Sequence, residues 1–181
     1  MDQPDTLDAR SLEAPAGVVW PASVSRVIGA LATQGHEGQP LMLDGAARTA
    51  QQAADALSVE LGQIAKSIIF RLQPEGLHVL VVTAGDRRVD VAKVKALVAQ
   101  PHQQLVKADA TFVRERTGFA IGGVAPLAHT HDGLTLLDES LQRFERIWAA
   151  AGHPHAVFAA NVKDLPRLTG AAFQDVTEVS A

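Results

Sequence analysis

Two stretches of the sequence carry residues that can do chemistry. The first is QIAKSIIF, Gln63 to Phe70, which puts a lysine at the start of an apolar run. If residues 66 to 71 form a strand, Lys66 shares a face with Ile68 and Phe70, while Ser67, Ile69 and Arg71 point the other way. Burying an unpaired ammonium costs several kcal/mol, so Lys66 either snorkels to the rim or serves a site that supplies an anion. The second stretch is TGFAIGGVAPLA, Thr117 to Ala128, with Gly118, Gly122 and Gly123 followed by Pro126. Closely spaced glycines let a backbone turn sharply and leave its amides uncovered for a phosphate, a carboxylate or an oxyanion. A tight connection between elements has the same composition. No Gly-Lys-Ser/Thr follows, and the spacing of the glycines is not that of a dinucleotide fingerprint.

Other chemistries lack their residues. The chain has no cysteine, which removes disulfides, zinc thiolates, iron-sulfur clusters and thiol nucleophiles. The pairs His129/His131 and His153/His155 have ligand spacing on a strand, but neither has an acidic third ligand in register, so no metal is expected. No G-x-S-x-G elbow is present, and no other cofactor is implied. Among the acids, Asp90 reads as a helix cap and Asp86 as a turn residue, whereas Asp138 ends the apolar segment LTLL just before a turn.

The elements that must position these groups follow from periodicity. Val24, Val27, Ile28 and Leu31 predict a first helix stopping at Gly35, and PLMLDG a short strand ending in a turn. Thr49 and Gln52 form a capping box for a helix whose Ala50, Ala53, Ala54 and Leu57 line one face. The Lys66 strand and LHVLVVT flank the turn QPEG and should pair as a hairpin. Asp90 starts a helix with Val91, Val94, Leu97 and Val98 inward, and another runs from Asp109 to just before Gly118. ESLQRFERIWAAAG fits a helix by Leu141, Phe144, Ile147 and Trp148, while its second half also suits a strand. AVFAA reads as a strand, and Asn161 opens a last short helix that ends at Gly170. Hairpins mixed with helices give a mixed α/β (α+β) domain.

The chain of 181 residues is long enough for one domain with a real core, and no apolar run reaches the length of a membrane span. Residues 1–21 read as a flexible N-terminal tail and 22–181 as the folded domain. That tail is acidic and lacks the features of a signal peptide, so a cytoplasmic protein is expected. The net charge of -4 argues against a general nucleic-acid binder. Yet seven basic residues and three acidic ones lie between Arg87 and Arg116, enough to permit a basic face on an acidic protein.

Several segments together resemble the YbaK/ProX family, the YbaK/aminoacyl-tRNA synthetase-associated domains. These are free-standing relatives of the editing insertion domain of bacterial prolyl-tRNA synthetases. The matching stretches are ARTAQQAADALSVELGQIAKSIIF, VVTAGDRRVD, TGFAIGGVAPLA, LLDESL and AAAGHPHAVFAA, in the family's order. The resemblance implies a compact fold with a curved, barrel-like mixed sheet surrounded by helices, and deacylation of mischarged tRNA, tRNA(Pro) in particular. It places the family's lysine on Lys66, where relatives contact the 3'-terminal adenosine or its phosphate, and the G-x-x-x-P loop on Gly122 to Pro126. Asp138 matches an aspartate that lines or supports the pocket. Thr49 matches a threonine that starts the family's second helix. His153 and His155 are both candidates for a pocket histidine.

The implied site is therefore Lys66, Gly122, Gly123 and Asp138 at the chemistry, with Gly118, Val124, Pro126, Thr49 and His155 around the substrate. Its partner is the aminoacyl-tRNA 3' end, with a synthetase as a further expected partner, and neither metal nor membrane is called for. Amides of Gly122, Gly123 or Val124 would hold the oxyanion, and the substrate's own 2'-hydroxyl would assist the water. A non-catalytic aminoacyl-tRNA- or synthetase-binding module of the same fold is the alternative. The chain contains no tyrosine, unlike the cysteinyl-tRNA(Pro) branch, which has one near the pocket.

Overall fold

The computed structural model describes residues 19–43, 45 and 49–178. Its centre is the predicted hairpin. Strands β2 (Ile64–Gln73) and β3 (Leu77–Ala84) pair antiparallel from Ala65↔Ala84 to Leu72↔Leu77. Beyond β3 lie β5 (Leu134–Asp138) and β8 (Phe173–Gln174), both added in parallel. The other edge of β2 is shared by two strands. Ile64 and Ala65 pair in parallel with β6 (Arg146–His153), and Phe70 to Gln73 pair antiparallel with β4 (Gln104–Lys107). Strand β7 (Ala156–Asn161) follows β6, and β1 (Leu41–Met42) closes that side.

Helices cover both faces. On one, α1 (Ala22–Thr33) buries Val24, Val27 and Leu31, and α4 (Ala110–Thr117) buries Phe112 and Val113, together with Leu80, Val82 and Ala84 of β3. On the other, α2 (Ala50–Leu57) sets Ala53 and Ala54 against Ile64 and Val157, while α3 (Val91–Val98) sets Val94 against Phe70, Val79 and Val81. A sheet covered on both sides accounts for the unbroken apolar run of β3, in which alternate residues enter different cores. The last helix, α5 (Leu165–Thr169), follows a 3-10 turn capped by Asn161.

The mixed α/β class is as expected, and the solved relatives reported below share it. The sheet does not close into a barrel: among the described residues, β1 and β8 are its two free ends. The capping box of Thr49 and Gln52 is formed, each side chain meeting the other's backbone N–H. Two details differ from the periodicity. Val91 and Leu97, expected inward, are 44% and 48% exposed, because a two-turn helix over the narrow surface of Phe70, Val79 and Val81 fully covers only Val94. The segment from Glu139 resolves as a 3-10 turn (Glu139–Arg143) followed by β6, so its apolar spacing belongs to two elements. Of the expected N-terminal tail, residues 1–18 lie outside the described residues, as does Asp44 of the expected turn. Trp20 packs against the core. No helix among the described residues is long and apolar enough to cross a membrane.

Candidate active site

Lys66 occupies the gap between the two clusters that cover the second face. Ile64, two residues before it, packs under α2, and Ile68 and Phe70, after it, pack under α3. The lysine is half-buried between the Ile64 and Ile68 positions. Its Nζ donates to the Arg87 carbonyl at 2.8 Å, which leaves two of the ammonium's three donors without a partner among the described residues. Burial pushes its pKa below the ordinary lysine value; Asp86 and Asp138 partly restore it and Arg88 opposes them.

Across the ladder, Lys66 pairs with Thr83, and the β3–β5 register sets Thr83 beside Asp138. These three make a polar row over adjacent strands. Asp138 is fully buried. Its Oδ2 accepts from Thr83 Oγ1 at 3.0 Å, from the Ala84 amide at 3.0 Å and from Ser140 Oγ at 2.6 Å, and Oδ1 accepts from the Ser140 amide at 2.8 Å. These four donors tie the carboxyl to the end of β3 and to the turn after β5. Asp86, read as a turn residue, is also held: Arg143 donates to both its oxygens at 2.7 and 3.0 Å, which lowers its pKa.

The glycine loop stands at the end of β6, the strand beside β2. Ala120 to Gly123 form a β-turn closed by the Gly123 amide on the Ala120 carbonyl at 2.9 Å, with Gly122 at φ +88° in the third position. The Gly123 amide, expected among the oxyanion donors, is thus engaged within the turn. Those of Gly122 and Val124 make no hydrogen bond among the described residues. Gly123 lies against the β6–β7 turn so closely that a Cβ there would stand 2.7 to 2.8 Å from backbone atoms of His153 and Pro154. Ile121, at the tip, is 59% exposed. Arg26 of α1 clamps the loop's ends, donating to the carbonyls of Ala128 and Thr117 at 2.9 and 3.2 Å with its guanidinium over the Phe119 ring.

The remaining expected residues divide. Gly118 caps α4 at φ +74°, and the side chains of Val124 and Pro126 are buried. Thr49 caps α2 on the Lys66 face. The rings of His153 and His155 lie 5.5 Å apart beneath the glycine turn, and the His155 amide bonds His153 Nδ1. The structure brings Lys66 together with Asp138, and the glycine loop with the two histidines. Among the described residues no hydrogen bond joins the two groups. In the basic stretch, Lys93 is neutralised by Asp175, while Arg88, Lys107 and Arg114 are exposed. No cluster among the described residues has the acidic and histidine groups to hold a metal.

Residues 44–168 match the aminoacyl-tRNA editing domain, and the chain belongs to that family. A solved structure described as a candidate trans-editing enzyme for prolyl tRNA synthetase is 41% identical, with a TM-score of 0.81 over 89% of this chain and 100% of that one. The hypothetical protein APE2540 is 29% identical, with a TM-score of 0.75 over 84% of this chain and 99% of its own. The uncharacterized protein YwhH of Bacillus subtilis (strain 168) is 35% identical over 123 residues, 65% of this chain and 72% of that relative.

Proposed function

We propose that this protein is a trans-editing deacylase that hydrolyses the ester of mischarged tRNA, with tRNA(Pro)-type substrates. The observation that carries the reading is Lys66, a desolvated ammonium between two apolar clusters with donors to spare. An anion arriving there restores the charge's lost solvation, and the 3'-terminal phosphodiester of a tRNA is such an anion. Support for the substrate class comes from the family and from the 41% identical relative.

Synthetases reject an amino acid smaller by one methylene by only about 1 to 3 kcal/mol, so a second hydrolytic site has work to do. In the proposed reaction a water oxygen attacks the ester carbonyl carbon. Negative charge grows on the carbonyl oxygen, toward which the unengaged amides of Gly122 and Val124 are the available donors. The carbon–oxygen bond to the 3' position then breaks. The water's proton passes to the leaving 3'-oxygen through the neighbouring 2'-hydroxyl, and the products are free amino acid and tRNA. Lys66 holds the terminal nucleotide in register for this attack.

The test is deacylation of tRNA(Pro) and control tRNAs charged with Ala, Ser, Thr, Cys or 2-aminobutyrate, by wild type and Lys66→Ala. Faster ester loss with wild type on at least one mischarged tRNA, abolished by K66A, is expected. Equal loss with and without protein across the panel overturns the enzyme reading, and tight binding without turnover converts it to a tRNA-binding module.

A further inference from the structure

A second polar line lies on the opposite face of β3 from Thr83, and it ends in the glycine loop. His129 Nε2 is 2.8 Å from the Ala125 carbonyl, inside the Gly122–Pro126 segment. A carbonyl only accepts, so that nitrogen carries hydrogen. Burial favours neutral His129, which leaves Nδ1 as an acceptor. His78 Nε2 lies 2.9 Å from that Nδ1 and must therefore donate to it. His78 is 1% exposed, and its own Nδ1, an acceptor in this tautomer, is buried with no partner among the described residues. The two bonds assign both rings.

Three further features belong to the same device. Ala128 adopts φ +63°, a strained value for a residue with a Cβ, and this turn brings His129 back under a carbonyl four residues earlier. Gly133 crosses the His78 ring so closely that a Cβ would stand 2.4 Å from its Cε1 and Nε2, so ring and loop are fitted to each other. A cavity of about 400 Å³ borders Pro126, Leu127 and Ala128 as well as both histidines. Val124, Ala125 and Leu127 pack into the core, and beside the cavity the His129 hydrogen bond adds a directional hold on the Ala125 carbonyl.

We propose that His129 is a positioning residue for the glycine loop, and that His78, anchored in β3, fixes the tautomer with which His129 grips Ala125. The proposal rests on the reading of the loop as the substrate's oxyanion site. The pair never meets the substrate. It holds the Ala125 carbonyl back in the protein, so that the amides of Gly122 and Val124 keep their direction through the turn. The hydrogen bonds of the relay offset the strain at Ala128 and so favour this one loop conformation.

The test uses the full chain and does not depend on turnover alone. Long-range proton–nitrogen imidazole spectra near neutral pH are expected to show both rings neutral with hydrogen on Nε2; hydrogen on Nδ1 of His129 overturns the relay. His129→Leu is expected to lower the deacylation kcat by about tenfold or more with KM nearly unchanged, the cost of a small misplacement. It should also speed hydrogen exchange of the Gly123 amide by a similar factor. His129→Gln, whose amide nitrogen reaches the place of Nε2, should recover both. Wild-type kcat and exchange in H129L, or an H129Q as impaired as H129L, overturn the proposal. His78→Leu removes the unpartnered Nδ1 but leaves His129 Nδ1 without its donor, so its stability is expected to stay near that of wild type while its kcat falls; an unchanged kcat counts against the relay. A wild type inactive on every charged tRNA sinks the functional reading instead, and Gly123 exchange in H129L then decides the positioning role by itself.

Discussion

Lys66 and Thr83 face each other across the β2–β3 ladder, and Thr83 hands the contact on to Asp138 by a 3.0 Å hydrogen bond. The lysine therefore stands beside a buried carboxylate without touching it. A direct ion pair would neutralise the ammonium and consume its donors. A hydroxyl between them keeps the favourable field and leaves Lys66 open to another anion.

The first prediction concerns Lys66 itself. Lys66→Met removes a partly desolvated charge and keeps the apolar stem, so the urea midpoint is expected to stay at or above that of wild type. Deacylation is expected to fall by about 100-fold, the scale of misplacing the reacting group by about 1 Å. A destabilised K66M with residual activity scaling to its folded fraction would assign the lysine to structure.

Lys66 also sets an alkaline limit. Burial holds its pKa below the ordinary lysine value, so the protonated form required for anion binding is lost at a lower pH than for an exposed lysine. Enzyme-dependent deacylation, corrected for spontaneous ester hydrolysis, should decline on that limb. In Lys66→Arg the guanidinium stays charged and the limb should disappear from the accessible range. An identical limb in both proteins assigns it to another group.

Asp138 tests the other end of the row. Asn in its place presents an amide NH2 to donors that now meet carboxylate oxygens, so Asp138→Asn is expected to cost about 3 kcal/mol in equilibrium unfolding. It also withdraws a negative charge that supports the Lys66 ammonium, so the alkaline limb should move to lower pH. A neutral D138N, in stability and in pH profile, contradicts the row.

How far this site was legible in the sequence depends on the range of the contact. Lys66's face, the Thr49 capping box, the Asp90 cap and the stop at Gly118 are set within a few residues, and the fold forms them as the pattern implies. Thr83 gave no signal as Asp138's partner, because the β3–β5 pairing joins strands more than fifty residues apart. The short strands β4 and β8 lack a pattern long enough to register. The His78–His129 pair was equally hidden: His129 read as half of an H-x-H ligand pair, while its hydrogen-bond partners are Ala125 and a histidine 51 residues away. Asp86 read as a turn residue, and its bidentate bond to Arg143 is likewise long-range.

The two adjacent glycines should fail differently. At Gly122 there is room, the nearest atom to an added Cβ being Pro154 Cβ at 3.8 Å, but φ +88° is costly for any other residue; Gly122→Ala should lose about 1–2 kcal/mol while the loop stays in place. At Gly123 the added Cβ meets the His153–Pro154 backbone, which has no side-chain freedom with which to yield. Gly123→Ala should displace the loop from the β6–β7 turn and lose more activity than Gly122→Ala at comparable stability. Crystal structures of the two variants read the displacement directly, and equal loop positions would refute the contrast.

The last prediction is the acid side of the stability profile. Burial, with His129, Arg116 and His131 nearby, lowers the pKa of His78 from 6.5 to about 4 in the fold, and Asp132 opposes them. The folded state therefore binds this proton less readily than the unfolded chain. Its contribution to stability is full above the unfolded value of 6.5, declines as the pH falls through the interval, and is gone below about 4. The interval corresponds to about 3 kcal/mol at most, at roughly 1.4 kcal/mol per pKa unit. Urea midpoints of wild type and His78→Leu, compared at pH 7 and near pH 4, isolate it from the titrating carboxylates common to both. Wild type should lose more stability over that range than H78L, by up to that amount. Parallel profiles would mean that His78 takes up its proton as easily in the fold as out of it, and that the bare Nδ1 is reached by solvent.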